Sequence, residues 1–256
     1  MTNLFDLTGR VAVVTGASSG LGVQFARALA SAGSDIAIIA RREERLQKVK
    51  EEIEKEFNNR VEYYKLDLSE FEKIEDTVKK IEEDFSKIDI LVNNAGLSIG
   101  ATAMEISIED WKKMMDLDLN AVFFMAREVA KIMKKNNYGR IINIGSVHSS
   151  VSLDIGMISS YVTSKFGVRG LTTTLSGEWA KYGITVNAIG PAYFESEMTE
   201  KILETETFKN LINNNCPMTR PGRKGELDTT LLYLASEYTS YTTGQLIGVD
   251  GGWTTL

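Results

Sequence analysis

The chain has 256 residues, of which 43% are hydrophobic and 25% charged, an ordinary balance for a soluble globular protein. Its formal net charge of −6 argues against a general nucleic-acid binder, which needs a basic surface. The one cysteine, Cys216, cannot form an intrachain disulfide, so we expect a reducing compartment.

The opening residues, MTNLFDLTGRVAVVTG, lack the basic start and long apolar run of a secretory signal. The sequence also lacks a run of about 18 apolar residues, the minimum for a membrane-spanning helix. Because no Cys/His cluster occurs, no zinc site is expected, and the scattered carboxylates indicate no other metal. We therefore expect a cytoplasmic protein that binds neither membrane nor nucleic acid.

Short apolar and β-branched runs recur along the chain and predict strands over 11–15, 35–40, 61–66, 88–92, 140–144, 184–189 and 245–250. Amphipathic stretches between them predict helices over 24–31, 43–57, 71–85, 109–135, 161–181 and 227–236. Nearly continuous apolar strands that alternate with helices are typical of a parallel sheet covered on both faces. The predicted fold is a doubly wound α/β fold.

No linker, repeat or change of composition divides the chain, so we expect a single domain over residues 1–256. Residues 195–226 interrupt the alternation with a polar helix and then the stretch NNNCPMTRPGRKG. An insertion that follows the carboxyl end of a strand is a candidate substrate lid.

The first predicted strand leads directly into TGASSGLG, with glycines at 16, 20 and 22. Small residues let the backbone approach a pyrophosphate, which then lies at a helix N-terminus with unpaired N–H groups. At the first strand–helix junction this spacing favours a dinucleotide site. The alternative is a tight strand-to-helix turn without a ligand.

The second predicted strand ends in Ala40, followed by Arg41 and Arg42. A site for NAD usually offers an acid there, whereas arginine suits the 2′-phosphate of NADP. Cations at the start of a helix oppose its dipole, so local stability does not explain them. The pair predicts NADP(H) as cofactor, and solvated surface arginines are the alternative.

Tyr161 and Lys165 lie four residues apart in SSYVTSKFG and share one face of a predicted helix. A phenol loses its proton near pH 10 and is a poor base at neutrality, so the neighbouring ammonium needs a reason. Ser146 follows a predicted strand, at the edge where such sheets bind ligands. Asn120 lies among apolar residues of a long predicted helix, where an amide is unfavourable without a role.

The motifs TGASSGLG, LDLS, NNAG, YVTSK, GPAYFESEM and TGQLIGVDGG, in this order with Asn120 and Ser146, resemble the short-chain dehydrogenase/reductase family over essentially the whole chain. The resemblance implies a Rossmann-type, seven-stranded parallel sheet with helices on both faces. It also implies a homotetramer or a homodimer. In its mechanism Tyr161 exchanges a proton with the substrate and Lys165 assists it, while Ser146 holds the substrate oxygen and Asn120 anchors a water relay.

The resemblance further implies which residues contact the cofactor: Gly16, Ser18, Ser19, Gly20, Leu21, Arg41, Arg42, Asp67, Leu68, Asn94, Ala95, Gly96, Tyr161, Lys165, Pro191, Phe194 and Ser196. Two segments, 147–160 and 192–226, would form a substrate loop and a lid, the first being longer than is usual in the family. His148 in that loop has two interpretations. In the first, His148 is bonded to the backbone. In the second, His148 contacts the substrate together with Ser146, and the protonation of His148 tunes binding.

The implied activity is the NADP(H)-dependent interconversion of a secondary alcohol and a ketone by hydride transfer. The longer loop and the stretch RPGRKGELDTTLLYLASEYTSYTTGQ resemble hydroxysteroid dehydrogenases, including those that act on bile acids. An apolar ring system would suit Leu153, Met157, Ile158 and Phe194. The stretch GPAYFESEMT resembles gluconate 5-dehydrogenase-like members instead. A 3-oxoacyl carrier-protein reductase and a non-catalytic NADP(H)-binding regulator are further alternatives.

Overall fold

The computed structural model describes residues 3–152, 157–194, 199, 203 and 205–255. These residues form a seven-stranded parallel sheet. In chain order its strands are β1 Val11–Thr15, β2 Asp35–Ala40, β3 Val61–Lys65, β4 Ile90–Asn93, β5 Gly139–Ile144, β6 Ile184–Pro191 and β7 Leu246–Val249.

Helices connect the strands and cover both faces of the sheet. They are α1 Gly20–Ser31, α2 Glu43–Phe57, α3 Ile74–Phe85, α4 Ile108–Met115, α5 Ala121–Asn136, α6 Ser159–Trp179, α7 Glu206–Asn215 and α8 Asp228–Ala235. None of the helices in the described ranges is both long and apolar enough to cross a membrane.

The strands lie in the order β3-β2-β1-β4-β5-β6-β7. The chain therefore moves outward from β1 to β3 and then crosses back to pair β4 with the other side of β1. In such sheets ligands bind at the carboxyl ends of the strands where the direction of winding changes. The predicted doubly wound, Rossmann-type fold is confirmed, and the change of direction lies between β1 and β4.

Strand β1 shows why the strands read as unbroken apolar runs. Its five residues are all buried. Ala12 and Val14 face the layer that contains α1, α2 and α8, whereas Val11 and Val13 face the layer that contains α3, α5 and α6. Because successive strand residues point to opposite faces, a sheet covered on both sides needs apolar residues at every position.

The helix predicted over 109–135 is interrupted in the structure. A π-helical turn over Asp116–Asn120 separates α4 from α5. Such a turn accommodates one extra residue by forming i→i+5 hydrogen bonds, and it is frequent at functional sites. Asp116, Asp118 and Asn120, which are unfavourable in a helix interior, all lie in this turn.

The lid predicted over 192–226 is described in part and contains α7. Phe208 and Ile212 of α7 are buried in a small cluster with Val147, Cys216 and Trp253. The helix thus packs against the loop that follows β5. The predicted contacts of Leu153 and Ser196 lie outside the described residues.

Candidate active site

The glycine loop joins β1 to α1 in a conformation that needs glycine. Gly16 and Gly20 have φ angles of 68° and 55°. A Cβ on Gly16 would lie 2.8 Å from the Cα of Ala95, and one on Gly22 would lie 2.4 Å from the carbonyl oxygen of Gly16. The loop therefore packs directly on the NNAG segment. Gly16 and Gly22 are required because a larger residue at either position would clash.

The N-terminus of α1 is arranged to receive an anion. Ser19 occupies the N-cap position but makes no side-chain capping bond, and the first turn of the helix holds no acidic residue. The Ser19 hydroxyl instead accepts a hydrogen bond from Arg42, 2.6 Å away. Helix N–H groups without a side-chain cap, next to a guanidinium, form an anion-binding arrangement.

The two arginines after β2 lie at this same corner. Arg42 also donates to the Ser18 hydroxyl at 3.0 Å, and Arg41 pairs with Asp67 at 3.6 Å. Both arginines are exposed. Because β2 and β3 end side by side, the predicted cofactor residues that follow them, Arg41, Arg42 and Asp67, come together. Leu68, the next predicted cofactor residue, is buried in the core.

Thr15, at the end of β1, holds the NNAG segment in place. Its hydroxyl accepts the backbone N–H groups of Asn94 at 2.9 Å and Ala95 at 3.0 Å. The Asn94 amide donates to the Thr15 carbonyl at 3.0 Å. These bonds fix two of the predicted cofactor-contacting residues at the crevice between β1 and β4.

Tyr161 and Lys165 lie one turn apart on α6, as predicted. The Lys165 ammonium is 5.5 Å from the centroid of the Tyr161 ring. Lys165 is buried and donates to the Ile144 carbonyl at 3.2 Å, whereas Tyr161 is half-buried and can be reached from outside. The buried cation therefore lies behind an accessible phenol.

A buried chain of amides anchors α6 to the sheet near these residues. The Asn93 amide donates to the Asn143 side chain at 2.9 Å, and the Asn143 amide donates to Thr172 of α6 at 3.0 Å. All three residues are buried. Satisfied polar networks of this kind fix one packing arrangement, here the position of α6 against β4 and β5.

The structure brings Asp118, not the Asn120 side chain, to Lys165. One Asp118 oxygen lies 3.5 Å from the lysine nitrogen, and the other accepts the Leu97 N–H at 2.8 Å. The Asn120 amide donates to Asp116 at 2.9 Å. Residues two apart in a helical turn face different directions, so only one of residues 118 and 120 can face α6. The role implied for Asn120 stays a prediction.

Burial and charge act in opposite directions on this buried pair. Burial raises the pKa of Asp118 above its ordinary value, and the Lys165 ammonium and the Leu97 N–H oppose that rise. Burial alone would lower the pKa of Lys165, but the Asp118 carboxylate and Tyr161 outweigh it, so the pKa of Lys165 is raised. Lys165 is therefore held in its charged form.

Ser146 lies two residues after the end of β5, at the start of a short 3-10 turn over Val147–Ser149. Its hydroxyl oxygen accepts the His148 N–H at 3.1 Å, and Ser149 accepts the Ser146 N–H at 3.1 Å. This reciprocal capping box fixes the Ser146 side chain. Since a hydroxyl that accepts one bond still carries a proton, Ser146 can donate to a substrate oxygen.

His148 uses both ring nitrogens on protein groups. Nδ1 lies 3.1 Å from the Val151 carbonyl, which can only accept, so this nitrogen carries the proton. Nε2 then accepts from the Tyr193 hydroxyl at 3.4 Å. Burial raises the pKa of Tyr193 to about 12 and lowers the pKa of His148. These contacts match the backbone-bonded interpretation of His148, and its substrate contact stays a prediction.

Aromatic side chains line the part of the site next to the segment predicted as a lid. Tyr193 stacks edge-on against Phe208 of α7 and contacts Trp253. Phe194 is buried and its backbone bridges to Gly222, which holds the segment after β6 against the segment before α8. A cavity of about 650 Å³ adjoins Phe194 on that side.

Met157 is exposed and Ile158 half-buried, so the apolar residues of the predicted substrate loop are accessible in part. Pro191 ends β6 and Phe194 follows it, at the same sheet edge as Ser146. Asn120 lies in the π-helical turn, and the other predicted cofactor and catalytic residues that are described lie near the carboxyl ends of the strands.

A dinucleotide fits the residues at this edge. The uncapped α1 N-terminus, the close-packed Gly16 and the exposed Arg42 match a phosphate group in charge and in access. Leu21 packs against the core beneath the loop.

Sequence reasoning missed three residues that shape the site: Thr15, Asp118 and Tyr193. Thr15 and Tyr193 had weak signals, because a strand-end threonine and a loop tyrosine are common. Asp118 had a clearer one, since a carboxylate between two leucines in a helix that packs on the sheet needs a compensating charge.

Residues 10–207 match the short chain dehydrogenase family. Gluconate 5-dehydrogenase of Gluconobacter oxydans is 35% identical over 252 residues, which cover 98% of this chain and 97% of that protein. A 3-oxoacyl acyl-carrier-protein reductase of Rickettsia conorii is 37% identical over 249 residues, or 97% of this chain and 98% of that protein.

The crystal structure of a gluconate 5-dehydrogenase from Burkholderia cenocepacia, in complex with NADP and tartrate, superposes with a TM-score of 0.94. The two chains are 34% identical, and the match covers 99% of this chain and 98% of the other. Likeness in sequence and in fold thus extends over nearly the full length. The chain belongs to the short chain dehydrogenase family.

Proposed function

We propose that the protein is an NADP(H)-dependent oxidoreductase that interconverts a secondary alcohol and a ketone, with a sugar acid related to gluconate as substrate. The observation that carries the redox assignment is the buried Lys165 ammonium behind the accessible Tyr161 phenol, beside Ser146 at the ligand-binding edge of the sheet.

A bound nicotinamide cofactor supplies the hydride acceptor or donor. The protein then has to place the substrate carbon and move one proton. In the oxidation direction Tyr161 takes the hydroxyl proton of the substrate, and in reduction it returns a proton to the ketone oxygen. Ser146 donates a hydrogen bond to the same oxygen, since its hydroxyl still carries a proton after it accepts the His148 N–H.

Lys165 stabilises the negative charge that Tyr161 carries after it gives up its proton. Its burial removes water from around the ammonium, so the charge acts at a lower effective dielectric than at the surface. The bond to the Ile144 carbonyl fixes where that charge lies.

The choice of NADP(H) over NAD(H) rests on Arg41 and Arg42. They lie after β2, where a 2′-phosphate would be recognised, and a bidentate guanidinium suits phosphate. The Burkholderia relative was crystallised with NADP, which supports the same choice.

The substrate assignment rests on the relatives. The Gluconobacter and Burkholderia proteins are gluconate 5-dehydrogenases, which favours the sugar-acid alternative over the hydroxysteroid predicted from the apolar loop residues. The polar groups around His148, among them the Ser146 hydroxyl and the Tyr193 hydroxyl, suit a polyhydroxy substrate better than an apolar ring system.

The deciding experiment offers a panel of ketones to the protein with NADPH and follows the loss of NADPH absorbance. The panel contains a 5-keto sugar acid, a 3-oxoacyl thioester and a steroid ketone, and the reverse reaction is run with both oxidised cofactors. We expect the highest kcat/KM for the keto sugar acid with NADPH. Turnover confined to the steroid or the thioester would refute the substrate assignment.

A non-catalytic NADP(H)-binding regulator remains the alternative of a different class. The buried Lys165 ammonium near the Tyr161 ring favours the enzyme, because a binding module does not need a buried ammonium beside a phenol. Tight NADPH binding without turnover of any ketone in the panel would favour the regulator.

A further inference from the structure

Asp118 is a buried carboxylate directly behind the proposed acid–base pair. Its side chain has no exposed surface, and that of Lys165 is 7% exposed. The Oδ2 atom has no hydrogen-bond partner among the described residues, although it lies 3.5 Å from the lysine nitrogen. Burying an ionised group in this way is costly unless an opposite charge compensates it.

The surroundings of Lys165 offer few other anions. Its nitrogen lies near Tyr161 of the same helix, the Ile144 carbonyl of β5 and Asp118 of the π-helical turn. His148 lies beyond Tyr161, with ring centroids 6.1 Å apart. Among the described groups, Asp118 is the carboxylate that pairs with the ammonium.

The π-helical turn and the NNAG segment together aim Asp118 at the lysine. The Leu97 N–H holds Oδ1 at 2.8 Å. A Cβ on Gly96 would lie 3.3 Å from Oδ2, so the glycine leaves room for the carboxylate. The carboxylate is therefore fixed by two segments of the chain and cannot swing away from Lys165.

We propose that Asp118 is a positioning residue, the counter-ion that keeps the Lys165 ammonium charged and fixed beside Tyr161. This inference rests on the proposed role of Tyr161 as acid and base. A neutral side chain at residue 118 would leave the ammonium buried without an opposite charge. Burial then favours loss of its proton, and the charge that assists Tyr161 disappears as the pH rises.

The test titrates Lys165 itself in the cofactor-free protein. Lysines labelled with 13C at Cε are followed by NMR, and the Lys165 resonance is assigned from its loss in Lys165→Arg. In Asp118→Asn, where the amide still accepts the Leu97 N–H, we expect the resonance to titrate at lower pH than in the parent. An unchanged titration would overturn the proposal.

The matched control is Asp116→Asn. Asp116 is a carboxylate in the same turn that accepts from Asn120 and does not pair with Lys165. The substitution should leave the Lys165 titration unchanged. In steady-state assays Asp118→Asn should lose about tenfold in kcat/KM between pH 7 and pH 9 relative to the parent. The NMR titration needs no substrate, so it decides the role of Asp118 even if the proposed function fails.

If Asp118→Asn does not fold, the double variant Asp118→Asn/Lys165→Met gives the answer. Removing both charges eliminates the uncompensated ammonium, and a counter-ion role predicts that the double variant regains the folded state. A double variant that stays unfolded would show that the loss of the folded state does not come from an uncompensated ammonium, and it would overturn the proposal.

Discussion

The Lys165 ammonium lies 5.5 Å from the centroid of the Tyr161 ring, one turn further along α6, and the lysine is buried while the tyrosine is not. In the proposed mechanism, this relationship lets the ammonium stabilise the negative charge that Tyr161 carries after it gives up its proton. The ammonium lies in the protein interior, whereas the tyrosine keeps part of its surface exposed.

Arg42→Ala should weaken NADPH binding by about 10- to 100-fold, the usual loss when a charge-assisted hydrogen bond to phosphate is removed. NADH has no 2′-phosphate, so its affinity should change little. Fluorescence titration with both cofactors measures the two constants. Lys48→Ala on α2, which removes an exposed pair with Glu52, is the control.

Arg41→Ala separates the two arginines. Arg41 already pairs with Asp67, so part of its charge is neutralised, and we expect a loss of NADPH affinity at the lower end of that range of about 10- to 100-fold. A preference for NADPH over NADH that survives both substitutions would contradict the cofactor assignment.

Ser146→Ala should lower kcat by about 100-fold, because it removes a donor to the reacting oxygen. It also removes half of a capping box, which costs about 1 kcal/mol of stability. Ser149→Ala removes the other half of that box without touching the substrate oxygen. If both variants lose activity equally, Ser146 acts through the loop fold and not through the substrate.

Acid should destabilise the folded protein through His148. Burial lowers the pKa of His148, and the Val151 carbonyl opposes this only in part. As the pH falls through the ordinary histidine value of about 6.5, the unfolded chain takes up a proton that the folded chain does not, and stability is lost. His148→Asn should lack this contribution.

Urea unfolding of both proteins at pH 7.5 and pH 5.5 measures the effect on the free energy of unfolding. The parent should lose more stability than His148→Asn between the two pH values. Equal losses would mean that His148 titrates as it does in the unfolded chain, in contrast to the lowering of its pKa that burial causes.

Gly22→Ala should destabilise the fold by about 1–3 kcal/mol, since the added methyl would lie 2.4 Å from the Gly16 carbonyl oxygen in a packed loop. Gly177→Ala on α6 is the matched control, because a Cβ there meets no atom within 4 Å. Alanine in an open helical position should stabilise by about 0.5–1 kcal/mol. Thermal or urea unfolding of both variants measures the contrast.

The sheet could be predicted closely because its chemistry is local. Strands β1 and β2 and helix α2 begin and end where the apolar and amphipathic patterns do. The parallel arrangement followed from strands that are apolar at every position, as β1 is on both faces. The NADP(H) prediction likewise came from residues that directly follow β2.

The interior of the site could not be predicted to the same depth. The π-helical turn over Asp116–Asn120 depends on an i→i+5 pattern that has no simple sequence signature, and it decides which polar residue faces Lys165. The tautomer of His148 depends on Val151 and on Tyr193, a residue from a distant strand end. Such features arise from packing between segments far apart in the chain.

The central claim is that Tyr161 moves the proton, and Tyr161→Phe tests it most directly. The measurement is kcat for the keto sugar acid, together with the NADPH dissociation constant from fluorescence. We predict that kcat falls by about 100- to 10,000-fold while NADPH affinity stays within a few-fold of the parent. A variant that binds NADPH and turns over at the parent rate would contradict the account.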